Sequence, residues 1–344
     1  MHTEQQPSFV ERLTPIWERQ LGKSSIGPED DFFTLGGNAV VAKRIFQDVA
    51  TVTTEPPPAV TIFVAPTIAS MAALIERPYS VSFPTAVRLR NDGDLPPIFL
   101  AHGIGNNVLD LLQLAGQLKT DRPIYGLQAI GIYGIEAPHE RVEDMARFYL
   151  DKMKKIQPTG PYTLIGYSLG GLVMLEIAQR LHARDEEVDL LVMLDAYPSK
   201  QFLRPVPFFE SAARRAKKRV FQRFQKAQPL PGSAISPEVQ HQIRMNYLAL
   251  ARYKPRFYLG EVRFIRAAEA SYFPSNPVRV WGHLVAKLDV ETVPGDHAGM
   301  LALHSDKIAT LISRYLSDGD SSDGDRNGAT DGLLSGSRAP ILRP

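Results

Sequence analysis

The chain has 344 residues, 44% of them hydrophobic and 22% charged, with a formal net charge of +2 and no cysteine. The charge balance gives no electrostatic case for nucleic acid or an anionic membrane as partner, and the missing cysteine excludes disulfides, a thiolate nucleophile and cysteine metal sites. No stretch approaches the roughly 18 apolar residues of a membrane span, and MHTEQQPSFVERL lacks the charged-then-apolar order of a signal peptide, so the expectation is a soluble cytoplasmic protein.

Residues 1–78 read as a small helical bundle. PSFVERLTPIWERQLG sets Val10, Leu13, Ile16, Trp17 and Leu21 on one helical stripe and ends at Gly22. VVAKRIFQDVATV repeats the period with Val41, Ile45 and Val49, and PTIASMAALIE predicts a third short helix. Residues 79–93 form a linker that becomes an opening strand at Ala86 to Leu89.

From 94 to 317 the pattern alternates. PIFLAHG, PIYGLQA, PYTLIGYS, VDLLVMLDAYP, EVRFIRA and VAKLDVETVPGDH are strand-like. Helical periods at Leu109–Leu118, Val142–Ile156 and Gly171–His182 lie between them. That alternation predicts a mostly parallel sheet with helices on both faces. Between about 198 and 260 it is interrupted by an insertion with two helical stretches, the first basic at Arg214, Arg215, Lys217, Lys218 and Arg219. Residues 318–344 are rich in Gly, Ser and Asp and predict a disordered tail.

The strongest chemical signal is LIGYSLGG. Gly166-Tyr167-Ser168-Leu169-Gly170 fits Gly-x-Ser-x-Gly, follows an apolar strand and precedes a helix, the setting of a nucleophile elbow. A serine nucleophile needs a base and a group to orient the base. In the α/β-hydrolase order the acid and then the histidine follow the serine. Asp195 closes the next strand, and His297 in VPGDHAGML follows a strand near the end of the sheet domain. Asp296 reads as a turn residue and His102 as a loop-shaping one. The backbone N–H groups of Ile104 and Leu169 are the expected oxyanion donors. No metal is called for.

A second motif lies in DDFFTLGGNAVVAKRIF, residues 30–46. It resembles the carrier-protein signature of nonribosomal peptide synthetases, D-x-F-F-x-L-G-G-x-S-x-x-A, at Asp30 or Asp31, Phe32, Phe33, Leu35, Gly36, Gly37 and Ala42. The elbow, the spacing from Ser168 to Asp195, and GDH before a final helix are similar to the thioesterases that end such assembly lines. The resemblance covers nearly the whole chain except the tail. It implies a carrier domain at 1–78 and an α/β-hydrolase thioesterase at 94–317 whose helical lid is the insertion at 198–260. It also implies release of a carrier-bound acyl thioester through a seryl acyl-enzyme, by hydrolysis, cyclisation or condensation.

The implied cofactor is 4′-phosphopantetheine, and the implied partners are upstream adenylation or other synthetase domains, the chain's own carrier domain and a phosphopantetheinyl transferase. The departure is Ala39, where the family has the serine that bears the arm. Alanine cannot be loaded, so the carrier is either blocked by engineering, which the intact remainder of the signature favours, or naturally inactive. The basic stretch of the insertion reads as a solvated face, with the arm's phosphate or the acidic turn Glu29–Asp31 as alternative contacts. The competing readings are a free-standing esterase with an unrelated helical domain and a non-catalytic carrier and docking module.

Overall fold

A computed structural model describes residues 7–77, 84–90, 93–105, 108–130, 136–198, 237–269 and 276–328. The N-terminal bundle comprises α1 (Phe9–Leu21), α2 (Ala39–Val49), a 3-10 turn (Ala59–Phe63) and α3 (Ile68–Glu76). Helix α1 starts with a capping box in which Ser8 and Glu11 satisfy each other's backbone N–H, and it ends on Gly22 in the left-handed conformation. Leu13, Ile16 and Trp17 of α1 meet Ala42, Ile45 and Val49 of α2 and Met71 of α3 in one core. Phe32 inserts fully into that core, edge-on to Trp17, while Phe33 stacks on Phe63. The loop before α2 is thereby fixed by two rings.

The second domain is a seven-stranded sheet ordered β1-β3-β2-β4-β5-β6-β7. Its strands are β1 (Ala86–Arg90), β2 (Ile98–Ala101), β3 (Ile124–Leu127), β4 (Tyr162–Tyr167), β5 (Val188–Leu194), β6 (Tyr258–Ala267) and β7 (Val285–Val293). Only β1 is antiparallel to its neighbour. The central strands are apolar on both sides because both faces are covered. Phe99, Leu164, Leu191 and Met193 enter the core shared with α5 (Val142–Ile156) and α6 (Leu169–His182). The alternate residues Ile98, Leu100, Ile165 and Val192 enter the other core, with α4 (Leu109–Gln117) and Ile308 and Ile312 of the last helix.

Strand β1 forms where the opening strand is expected, with Val87 buried against Val60 and Val108 and its strand added to the sheet edge beside β3. Two boundaries differ from the sequence expectation. The insertion ends before β6 begins at Tyr258, so residue 260 is already sheet. Its second helix is α7 (Pro237–Arg252), whereas the basic stretch from Arg214 to Arg219 lies outside the described residues.

After α8 (Val278–Trp281) and α9 (Gly299–Ala302), the last helix, α10, runs from Ser305 to Gly328, well into the expected disordered tail. Its first turns are anchored by Ile308, Ile312 and Tyr315. Once those turns are in place, further residues add without the cost of nucleation.

The two domains touch where α2 meets α4. Leu109 is buried in the bundle's core, and Lys43 pairs with Asp110 at 2.7 Å. Both charged side chains are nearly half exposed, so the apolar burial outweighs the ion pair there.

Candidate active site

Strand β2 is followed by β3 on one side and by β4 on the other, so the sheet's order reverses between β2 and β4. Crevices at such a reversal open at the carboxyl ends of the strands. Ser168 follows β4 at that edge, Asp195 follows β5, and His297 lies on the turn after β7.

Ser168 has φ 56° and ψ −119°, a left-handed conformation that costs a non-glycine residue about 1–3 kcal/mol. The surroundings hold it there. Ser168 N–H donates to Leu194 O at 2.9 Å, and Gly171 N–H donates back to Ser168 O at 3.1 Å. Gly170 allows the close approach of α6 to β2, since a Cβ at that position would lie 2.4 Å from Ala101 O and 2.5 Å from His102 O.

The structure brings the three sequence-predicted side chains into one line. His297 Nε2 is 3.0 Å from Ser168 Oγ, and His297 Nδ1 is 2.8 Å from Asp195 Oδ2. Asp195 is 3% exposed and also accepts from Ala267 N–H through Oδ1 at 3.3 Å. A buried carboxylate with its second oxygen occupied presents the first in a fixed direction. It selects the imidazole tautomer with hydrogen on Nδ1, leaving Nε2 to accept from the serine. Asp296 instead accepts Gly299 N–H at 2.7 Å, closing the turn that leads into α9.

Tyr167, which sequence reasoning passed over, supports His297 from behind. Its hydroxyl donates to His297 O at 2.6 Å, and its ring stacks on the imidazole at 5.0 Å between centroids. Its phenol pKa is raised, chiefly by burial, so it stays a donor.

His102 sits deeper. Nδ1 is 2.6 Å from Gly103 O and Nε2 is 3.0 Å from the Tyr149 hydroxyl. Burial lowers its pKa to about 4, so the ring is neutral, donating through Nδ1 and accepting at Nε2. The loop it shapes passes beside the elbow: a Cβ on Gly103 would lie 3.3 Å from Ser168 Cβ. Ile104 follows in that loop, and Leu169 opens α6.

Ala39 is the first residue of α2, across the domain boundary. Asn38 caps the helix, its Oδ1 accepting from Val40 and Val41 N–H. Among the described residues no cluster of three or more His, Cys, Asp or Glu could hold a metal ion, and no helix is long and apolar enough to cross a membrane.

Residues 96–316 match the thioesterase domain family. The chain belongs to that family. Residues 11–75 match the phosphopantetheine attachment site family, so a carrier domain precedes the thioesterase. The dimodular nonribosomal peptide synthase of Bacillus subtilis (strain 168) is 38% identical over 190 residues, 55% of this chain and 8% of that protein. Indigoidine synthase of Streptomyces lavendulae is 33% identical over 183 residues, 53% of this chain and 14% of that one. The chain therefore spans a small part of the length of these relatives.

Among solved structures, the NocB thioesterase domain in covalent complex with a fluorophosphonate nocardicin G analogue gives a TM-score of 0.53 at 26% identity. That match covers 65% of this chain and 95% of NocB. A four-domain nonribosomal peptide synthetase bound to AMP and glycine shares the fold, with a TM-score of 0.59 at 22% identity over 89% of this chain and 26% of that one.

Proposed function

We propose that this carrier–thioesterase pair is the releasing end of a nonribosomal peptide synthetase, and that Ser168, His297 and Asp195 are its nucleophile, base and orienting acid. The observation that carries the reading is the hydrogen-bonded line from Asp195 through His297 to Ser168 at the strand-to-helix elbow. The covalent fluorophosphonate complex of NocB supports it by similarity.

In the first half-reaction His297 Nε2 takes the proton of Ser168 Oγ as the oxygen attacks the thioester carbonyl carbon. The N–H groups of Ile104 and Leu169 hold the oxyanion, with the start of α6 adding its positive dipole. The carbon–sulfur bond breaks, and the proton on His297 passes to the departing thiolate. In the second half-reaction His297 takes a proton from water, or from a nucleophile on the acyl chain itself. That oxygen or nitrogen displaces Ser168, which regains its proton. Water gives the free acid, and an internal nucleophile gives a ring.

The carrier half does not fit its family's cofactor at the attachment position. Ala39 offers a methyl group where a phosphodiester needs a hydroxyl, so this chain receives its thioester from elsewhere: another carrier, or a small acyl thioester. Upstream synthetase domains are the proposed source of the acyl chain, and the cytoplasm its setting.

The reading is tested by treating the full chain with a fluorophosphonate and mapping the adduct by peptide mass. The adduct is expected on Ser168, and its absence there would sink the assignment. Replacing His297 should slow labelling by orders of magnitude.

A further inference from the structure

Helix α7, from the insertion between β5 and β6, carries a buried stripe of Gln242, Asn246 and Ala249 that continues into Tyr253 just past its end. The stripe follows the helical period, and its last two members join the core beneath the sheet. Its polar members need another explanation. Asn246 is 0% exposed, and an amide so placed costs stability unless hydrogen-bonded. Its Nδ2 donates to Ile104 O at 3.0 Å. That bond joins α7 to the loop beside the nucleophile across 142 residues of sequence.

The bond falls at a telling place in the loop. In a trans peptide the carbonyl and the N–H that follows it point in opposite directions. His102 Nδ1 holds Gly103 O, which aims Ile104 N–H the other way. The next carbonyl, Ile104 O, is the one that Asn246 holds. Ile104 N–H thus lies on a residue whose two flanking peptide planes are both fixed through their carbonyls, one from the β2 loop and one from α7.

We propose that Asn246 is a positioning residue for the oxyanion hole: by gripping Ile104 O it fixes the direction of Ile104 N–H, so that α7 of the insertion is a structural part of the catalytic apparatus. This rests on the reading of Ser168 as nucleophile and Ile104 N–H as oxyanion donor. An oxyanion donor acts in the transition state more than in the bound substrate. The effect of Asn246 therefore belongs in kcat and not in KM.

The test uses the full chain with p-nitrophenyl butyrate as probe, beside a Ser168→Ala control. Removing an oxyanion donor outright costs about 10²–10³-fold in kcat, so loosening one by Asn246→Leu should cost about 10-fold, with KM within about twofold. Asn246→Asp adds a readout that a purely packing role would not move. As a carboxylate it cannot donate and repels Ile104 O. Once protonated it donates again. Its activity relative to wild type should therefore rise as pH falls from about 8 to about 6, because burial raises a carboxyl pKa.

Wild-type kcat in Asn246→Leu, a loss confined to KM, or a pH-independent ratio for Asn246→Asp would each overturn the proposal. If Asn246→Leu does not fold, the Asn246→Asp ratio decides alone. Wild-type turnover in Ser168→Ala would instead overturn the underlying site. Loss in Ser168→Ala with none in either Asn246 variant would remove this inference only.

Discussion

Two turns in this chain place a residue at the start of a helix after a glycine-containing loop, and they are built in opposite ways. At the elbow, Ser168 is held at φ 56° and 7% exposed, with backbone of β2 so close to α6 that Gly170 has no room for a side chain. At the carrier turn, Asn38 has a relaxed extended backbone at φ −134° and ψ 177°, and Ala39 follows it half-buried, beside the exposed Asn38 and Val40. The elbow holds the Ser168 hydroxyl on a strained backbone against His297 Nε2. The carrier turn needs only a residue at the domain's surface, within reach of an enzyme that would modify it. The proposed reactivity of the first depends on many contacts, and the proposed loading of the second on one atom.

The sharpest way to break this contrast is to supply that atom. Ala39→Ser should convert a chain that gains no mass with phosphopantetheinyl transferase and coenzyme A into one that gains a single phosphopantetheine, read by intact mass. Its unfolding curve should stay within about 0.5 kcal/mol of the parent, as for surface changes generally. No mass gain would mean that the turn is not an attachment site. The converse change at the elbow, Ser168→Ala, should lower kcat for thioester cleavage by about 10⁴-fold or more, since residues of such a unit fail together.

The glycines sharpen the comparison. A Cβ at Gly170 would meet backbone oxygens, which yield only if the end of β2 moves. Gly170→Ala should therefore cost about 3 kcal/mol in stability and also lower kcat. At Gly37 a Cβ would lie 2.4 Å from the Phe32 ring, a buried side chain. Gly37→Ala should destabilise the carrier by about 1–3 kcal/mol while leaving cleavage of a small thioester intact. Equal losses of activity in the two variants would mean that the carrier's order governs the elbow.

Acid should separate the halves as well. Burial lowers the His102 pKa from 6.5 to about 4. Between those values the unfolded chain binds the proton and the folded chain does not. Stability is thus complete above about pH 6.5 and declines as pH falls toward 4, by about 3 kcal/mol for this group. His139 adds to the decline in the same direction, since burial lowers its pKa too. Both lie in the thioesterase domain. His102→Gln should flatten the dependence of its unfolding free energy on pH between 7 and 4, and an unchanged slope would count against a buried neutral His102.

Much of this was legible in the sequence because the signals were local. The strand-and-helix rhythm located the strands of the sheet, and Gly-x-Ser-x-Gly located the elbow. What stayed hidden depends on contacts between distant segments. Nothing in GYSLGG says that the Tyr167 ring will lie on an imidazole from the turn after β7. Asn246 left one faint trace, a polar residue at helical spacing from Ala249, but its partner is set by how α7 packs against the loop after β2. Over 318–328 the expectation of disorder misled because composition weighs each residue by itself, whereas α10 extends from turns already anchored by Ile308 and Ile312; 329–344 lie outside the described residues.

Tyr167 offers the finest test of how tightly the elbow must be built. Tyr167→Phe keeps the stack on His297 and deletes one hydrogen bond to its carbonyl, a loss of about 1 kcal/mol, or roughly fivefold in kcat. Tyr167→Ala deletes the stack as well and should cost more. Because burial raises the Tyr167 pKa, its phenol donates across the whole assay range, and the ratio of wild type to Tyr167→Phe should be flat between about pH 6 and 9. A ratio that changed over that range would mean that the phenol's proton takes part in the reaction, and the support of His297 would no longer account for the residue.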